Sequence, residues 1–144
     1  MGSGPDDYVG CLAGHLRAAA RAITREYDSA LRPHGLRITQ VAILAQLGRL
    51  QPQTVTAFAH AHGSDRSAVA RDLAVLEREG LVERRPNADD RRAWQLFLTP
   101  EGERRLAESA PAWKATQARM YERLGSADAA ALLTLADRVV SALA

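Results

Sequence analysis

The chain has 144 residues, 47% of them apolar and 25% charged, with a formal net charge of +2 and one cysteine. That length suits one compact domain or a small reader with helical arms, and excludes a multidomain enzyme. A single cysteine rules out an intramolecular disulfide, no Cys-x-x-Cys or His-x3-His spacing offers a zinc site, and no apolar run approaches the roughly 18 residues of a membrane span. The expectation is a soluble cytoplasmic protein without metal or cofactor.

Leu12, Leu16, Ala20, Ile23, Tyr27 and Leu31 recur at spacings of three and four, which predicts one long amphipathic helix from Asp7 to Leu31, ended by Pro33, His34 and Gly35. A second helix begins after Thr39 with Val41, Leu44 and Leu47 on one side and closes near Gly48 and Pro52. Thr54 is placed to cap a short helix carrying Val55, Phe58 and Ala59, which Gly63 ends. Ser64 or Asp65 starts the next helix, with Val69, Leu73 and Leu76 on one face and Ser67, Arg71, Ala74 and Arg78 on the other, and Gly80 stops it.

The period then changes. Residues 81–85 and 93–98 read as two strands around the charged loop from Pro86 to Arg92, a β-hairpin. Thr99 followed by Pro100 caps a further helix that runs to Leu124. Gly125-Ser126 breaks it, and Leu132, Leu135, Val139 and Leu143 form a last apolar face. The outer helices carry more apolar surface than a middle segment of this size can cover, so pairing with a second copy is the economical solution.

Short helix, tight turn, helix and hairpin make a winged helix-turn-helix. The fold expected is mainly α with a small β-hairpin wing, divided into an N-terminal dimerisation helix (1–35), a DNA-binding domain (36–99) and C-terminal dimerisation helices (100–144). Residues 36–99 hold nine arginines against seven carboxylates, whereas the segments on either side are balanced. A basic excess confined to the middle is the footprint of a phosphate-binding surface, although an arginine-rich composition can also reflect a GC-rich genome. The outward face of the second reader helix, Ser67, Arg71 and Ala74, suits the major groove. Its N-terminal N–H groups, from Ser64 to Ser67 with Arg66 beside them, suit a phosphate. The loop arginines Arg91 and Arg92 suit the narrow minor groove, and a neighbouring carboxylate is expected to hold the loop by an ion pair.

The order Gly35-Leu36-x-x-Thr39-Gln40, Asp65-Arg66-Ser67-Ala68-Val69-Ala70-Arg71, Leu76-Glu77-Arg78-Glu79-Gly80-Leu81-Val82, Asp89-Asp90-Arg91-Arg92 and Leu98-Thr99-x-x-Gly102 resembles the multiple-antibiotic-resistance regulator (MarR) family. The resemblance implies an obligate homodimer that binds a pseudo-palindromic double-stranded operator, usually as a repressor released by a small-molecule effector or an oxidant. It assigns Ser64, Arg66, Ser67 and Arg71 to the major groove, Arg92 to the minor groove with Asp90 as its wing partner, and Thr39 and Thr54 to helix starts that touch phosphate. His62 and Ser64 depart from it, being polar where the family usually has apolar residues around the turn.

Cys11 and His15 are candidate redox or effector residues. One peroxide-sensing branch of the family places a cysteine near the start of the first helix, but the matching position here is Ala13, and a lone helical cysteine is more often an inert small apolar residue. His15 lies on the first helix, near where the family's effector pockets fall. His60 and His62 point in different directions and suit no joint ligation. Trp94 and Trp113 are expected to pack, the second in the pocket or the dimer seam. No nucleophile, phosphate loop or paired-carboxylate constellation supports an enzyme. The competing class is a winged-helix module that binds another protein.

Overall fold

A computed structural model describes residues 9–49, 53–62 and 65–144, with 61 and 62 described by their backbone alone. The elements in chain order are α1 (Leu12–Leu31), a 3-10 turn (Arg32–His34), α2 (Ile38–Arg49), β1 (Gln53–Thr54), α3 (Val55–His62), α4 (Arg66–Arg78), β2 (Val82–Pro86), β3 (Trp94–Leu98), α5 (Pro100–Leu124) and α6 (Ser126–Leu143). Pro52, Gly63 and Ser64, named above as helix boundaries, lie outside the described residues.

The wing is a three-stranded antiparallel sheet in the order β1-β3-β2, rather than a bare hairpin. Gln53 pairs with Leu96 and Thr54 with Gln95, and a strand of two residues is too short to show the alternation by which strands are read from sequence. The hairpin strands sit at Val82–Pro86 and Trp94–Leu98 because Leu81 closes the turn after α4, its N–H donating to the Leu76 carbonyl at 2.9 Å.

α2 starts at Ile38, ahead of the expected Thr39, because two side chains cap it. Asp28 of α1 accepts the Ile38 N–H at 2.8 Å, and Gln40 reaches back to the Arg37 N–H at 3.0 Å. Helix starts leave such donors orphaned unless a side chain takes them.

The core lies in the reader. Leu36, Ile43, Leu44, Phe58, Leu73, Leu76, Leu81 and Leu96 are buried together, and Tyr27 and Leu31 at the end of α1 seal them. Truncating any one of the leucines to alanine would cost about 2–5 kcal/mol. Tyr27 donates its hydroxyl to Gln117 of α5, and its ring lies 6.5 Å from that of Trp113. Burial, with a smaller contribution from Tyr121, raises the Tyr27 phenol above its ordinary pKa and keeps it a donor.

The Leu98-Thr99-x-x-Gly102 segment joins reader to arms. The Thr99 hydroxyl accepts the Gly102 N–H at 3.0 Å and donates to the Gly80 carbonyl at 2.7 Å, while the Thr99 N–H reaches the Leu81 carbonyl at 3.1 Å. One residue thus caps α5 and fastens it to the end of α4. Arg105 of α5 adds a 3.2 Å ion pair with Glu79.

The first half of α1 and most of α6 are bare. Residues 12–22 of α1 are all exposed, with Leu12 at 78%, and α6 buries Ala129 while leaving Leu135, Val140 and Leu143 in solvent.

Candidate nucleic-acid interface

α4 begins at Asp65, whose Oδ1 accepts the Ser67 N–H at 3.1 Å. The free N-terminal amides expected to receive a phosphate are therefore partly used, and by a carboxylate that repels one. Val69, Leu73 and Leu76 anchor the helix in the core, which leaves Arg66, Ser67, Arg71, Ala74 and Arg78 exposed. Beside α4, a polar groove of about 510 Å³ is lined by Arg37 and Thr39 at the head of α2 and by Arg71 and Arg78. Arg37 was missed in the sequence. It stands next to the Thr39-Gln40 match, and the charge two residues before Thr39 was the available signal.

Thr54 has two roles at once. Its backbone pairs with Gln95, and its Oγ1 accepts the Ala57 N–H at 3.1 Å as the cap of α3. A hydroxyl that accepts still has its proton to donate, so Thr54 can offer it to a phosphate oxygen.

The wing loop is shaped by backbone bonds. Asn87 N–H donates to the Ala93 carbonyl at 2.8 Å, Asp89 N–H to Asn87 Oδ1 at 3.0 Å, and Arg92 N–H to Asp90 Oδ1 at 3.0 Å. Asp90 thus holds the turn through the Arg92 amide, where an ion pair with an arginine side chain was expected. Short Asp side chains commonly bond the backbone two residues on.

The arginines of the middle segment fall into two groups. Arg84 is held bidentate by Glu77 of α4 at 2.7 and 3.1 Å; Arg85 pairs with Glu83 at 2.7 Å and lies 4.6 Å over the Phe97 ring. The Arg85 hydrogen bond holds the Glu83 carboxyl below the usual carboxylate range, so that pair stays charged. Arg37, Arg49, Arg66, Arg71, Arg78, Arg91 and Arg92 are exposed and make no ion pair among the described residues. Of these, Arg37, Arg71 and Arg78 line the α2–α4 groove together with Asp72 and Glu79, Arg91 and Arg92 stand at the wing tip beside Asp89 and Asp90, and Arg49 lies apart, between α2 and α5.

A second cavity, about 740 Å³ and mostly apolar, opens between α2 and α5. Val41 and Ala45 line it from one side and Leu106 and Trp113 from the other, with Arg49 and Lys114 among its charged residues. Trp113 thus stands half-exposed in the cavity wall, as expected, whereas Trp94 is exposed on β3, contrary to expectation. Cys11 is exposed as the residue before α1, and His15 Nδ1 donates to the Cys11 carbonyl at 2.9 Å. Neither lines the cavity. His60 is exposed on α3, and the side chain of His62 lies outside the described residues. Among the described residues no group of three or more His, Cys, Asp or Glu could hold a metal, and no helix is long and apolar enough to cross a membrane.

A helix-turn-helix with a three-stranded wing, carried between long helical arms, defines a winged-helix nucleic-acid reader. The MarR family model matches residues 36–94. The solved structure of the M. tuberculosis transcriptional regulator MosR in complex with DNA is 32% identical, covers 92% of this chain and 96% of its own, and superposes with a TM-score of 0.82. The fold is likewise that of the transcriptional repressor CouR bound to a 23-mer DNA duplex (24% identity, 96% and 99% covered, TM-score 0.82) and of a mutant E. coli MarR complexed with operator DNA (21%, 95% and 99%, 0.82). The chain belongs to the MarR family of winged helix-turn-helix transcriptional regulators, a non-enzymatic family of DNA-binding proteins.

Proposed function

We propose that the protein is a repressor that binds a pseudo-palindromic operator as a homodimer and releases it when a small molecule occupies the cavity between α2 and α5. The observation that carries the DNA reading is the division of the arginines: those at the α2–α4 groove and wing tip are unpaired, while those on the wing strands are neutralised by neighbours. Arg66, Ser67 and Arg71 read the major groove, Arg91 and Arg92 enter the minor groove, and Thr39 and Thr54 hold phosphates. Pairing is supported by the leucines and valines that α1 and α6 leave in water. Two copies would set their α4 helices in successive major grooves roughly 34 Å apart.

Release is supported by the cavity's position. Leu98, Glu103 and Leu106 line it from the same stretch of chain that Thr99 and Arg105 fasten to α4. An occupant that favours a different α5 position by a few kcal/mol would mis-space the reader helices and free the DNA.

The test is fluorescence anisotropy of duplexes from the intergenic DNA beside its own gene, against scrambled duplexes, over a salt series. Selective binding that weakens steeply with salt is expected. Absence of salt-dependent binding to any duplex would overturn the reading in favour of a protein-interaction module.

A further inference from the structure

Trp94 stands apart from every other large side chain of the sheet. Side chains alternate along a strand, so Trp94, Leu96 and Leu98 share one face of β3. On β2, Arg84 is opposite Leu96 and Pro86 opposite Trp94, and Arg84 reaches Glu77 of α4, so this face looks toward the recognition helix. Leu96 is 1% exposed at its centre, whereas Trp94 is 46% exposed at its outer end. The other face manages its aromatic differently, for the Arg85 guanidinium covers Phe97. No ring or cation covers Trp94 among the described residues.

Its neighbours say what it faces. Thr54, which caps α3, pairs with Gln95 and shares the opposite face of the sheet, so the Trp94 face is bounded by α4 on one side. On the other side Arg92 precedes it by two residues, at the end of a loop whose unpaired arginines are exposed. The indole thus lies at the wing end of the face that looks toward α4, two residues from Arg92 of the wing, on the strip that a sugar-phosphate strand must cross between the major groove met by α4 and the minor groove met by the wing.

We propose that Trp94 is a DNA-backbone contact: its ring packs on a deoxyribose and its Nε1–H donates to a phosphate oxygen of the strand that runs between α4 and the wing tip. An indole suits that strip chemically, with an apolar body for the sugar and one donor, no acceptor, for the anion. The inference rests on the DNA-binding reading above and adds to it a neutral residue that holds the wing's entry angle.

Trp94 and Trp113 are the two tryptophans of the chain, so Trp113→Phe leaves a single reporter. Binding is followed by anisotropy of a dye-labelled duplex selected by the protein from a random pool, and Trp94 by its own emission and its acrylamide quenching. On saturation, Trp94 emission should change and its quenching should fall, and Trp94→Ala should weaken binding about tenfold. Because the indole is neutral, that loss should be the same at every salt concentration, whereas Arg92→Ala should lower the salt slope by about one. Trp94→Phe, which keeps packing and loses the donor, should fall between. Duplex binding with unchanged Trp94 emission and quenching overturns the contact while leaving the DNA reading intact; absence of duplex binding overturns both.

Discussion

Gly102 stands so close to Leu81 that a Cβ built on it would lie 2.2 Å from the Leu81 carbonyl oxygen. The clash is with backbone, which cannot swing aside as a side chain can. Gly102→Ala should therefore push α5 off the base of the wing and destabilise the fold by about 1–3 kcal/mol. Urea unfolding followed by circular dichroism measures this, and an unchanged midpoint would show that α5 shifts without cost.

Arginines of equal formal charge should behave unequally. Arg71→Ala should weaken specific duplex binding more than nonspecific binding, because its side chain is free to reach base edges. Arg84→Ala should change affinity by less than about threefold, since Glu77 already neutralises that guanidinium in a partly exposed pair. Anisotropy titrations at one salt concentration compare them. Equal losses would mean that position on the wing outweighs pairing.

The Asp90 carboxylate should matter through geometry. Asp90→Ala removes the acceptor for the Arg92 amide and should weaken operator binding about fivefold. Asp90→Asn keeps a side-chain oxygen and should restore most of it. Hydrogen exchange at the Arg92 amide gives an independent readout, rising in the alanine variant alone. Slow exchange in Asp90→Ala would show that the turn holds without this bond.

Much of the reader was legible because its residues obey local rules. Val69, Leu73 and Leu76 mark the buried face of α4 by spacing alone, and Thr99 with Pro100 marks the start of α5. The misses involve partners distant in sequence or patterns too short to register. Asp28 caps α2 from another helix, Gln53 and Thr54 make a strand of two residues, and Glu77 neutralises Arg84 across a turn. In the interface, the candidate arginines were visible as charges, but which were free depended on their neighbours in three dimensions. Asp65 is the contrary case: a carboxylate just before a helix was readable as its cap, and its side chain takes the Ser67 amide as a cap does.

The apolar arms predict a concentration-dependent molecule. Leu135→Glu and Val140→Glu on α6 should shift sedimentation from dimer toward monomer at micromolar protein, with the reader core intact because neither residue belongs to it. Operator affinity should fall as dimerisation is lost. A wild-type protein that sediments as a monomer would remove the assigned role of these faces.

The division of the arginines also bears on how fast the protein finds a duplex. Arg104 is held by Glu101 and Glu108, and Arg84 and Arg85 by Glu77 and Glu83, so these charges largely cancel a short distance away, while Arg37, Arg71 and Arg78 in the α2–α4 groove outnumber Asp72 and Glu79 there, and Arg91 and Arg92 at the wing tip stand beside Asp89 and Asp90. The whole formal charge of +2 thus lies in residues 36–99, where nine arginines meet seven carboxylates while both flanks are balanced, and a charge placed off-centre exerts a torque. Approaching a polyanion, the molecule would be turned reader-first before any contact is made, raising the productive share of encounters at low ionic strength and losing that advantage as salt shortens the reach of the field.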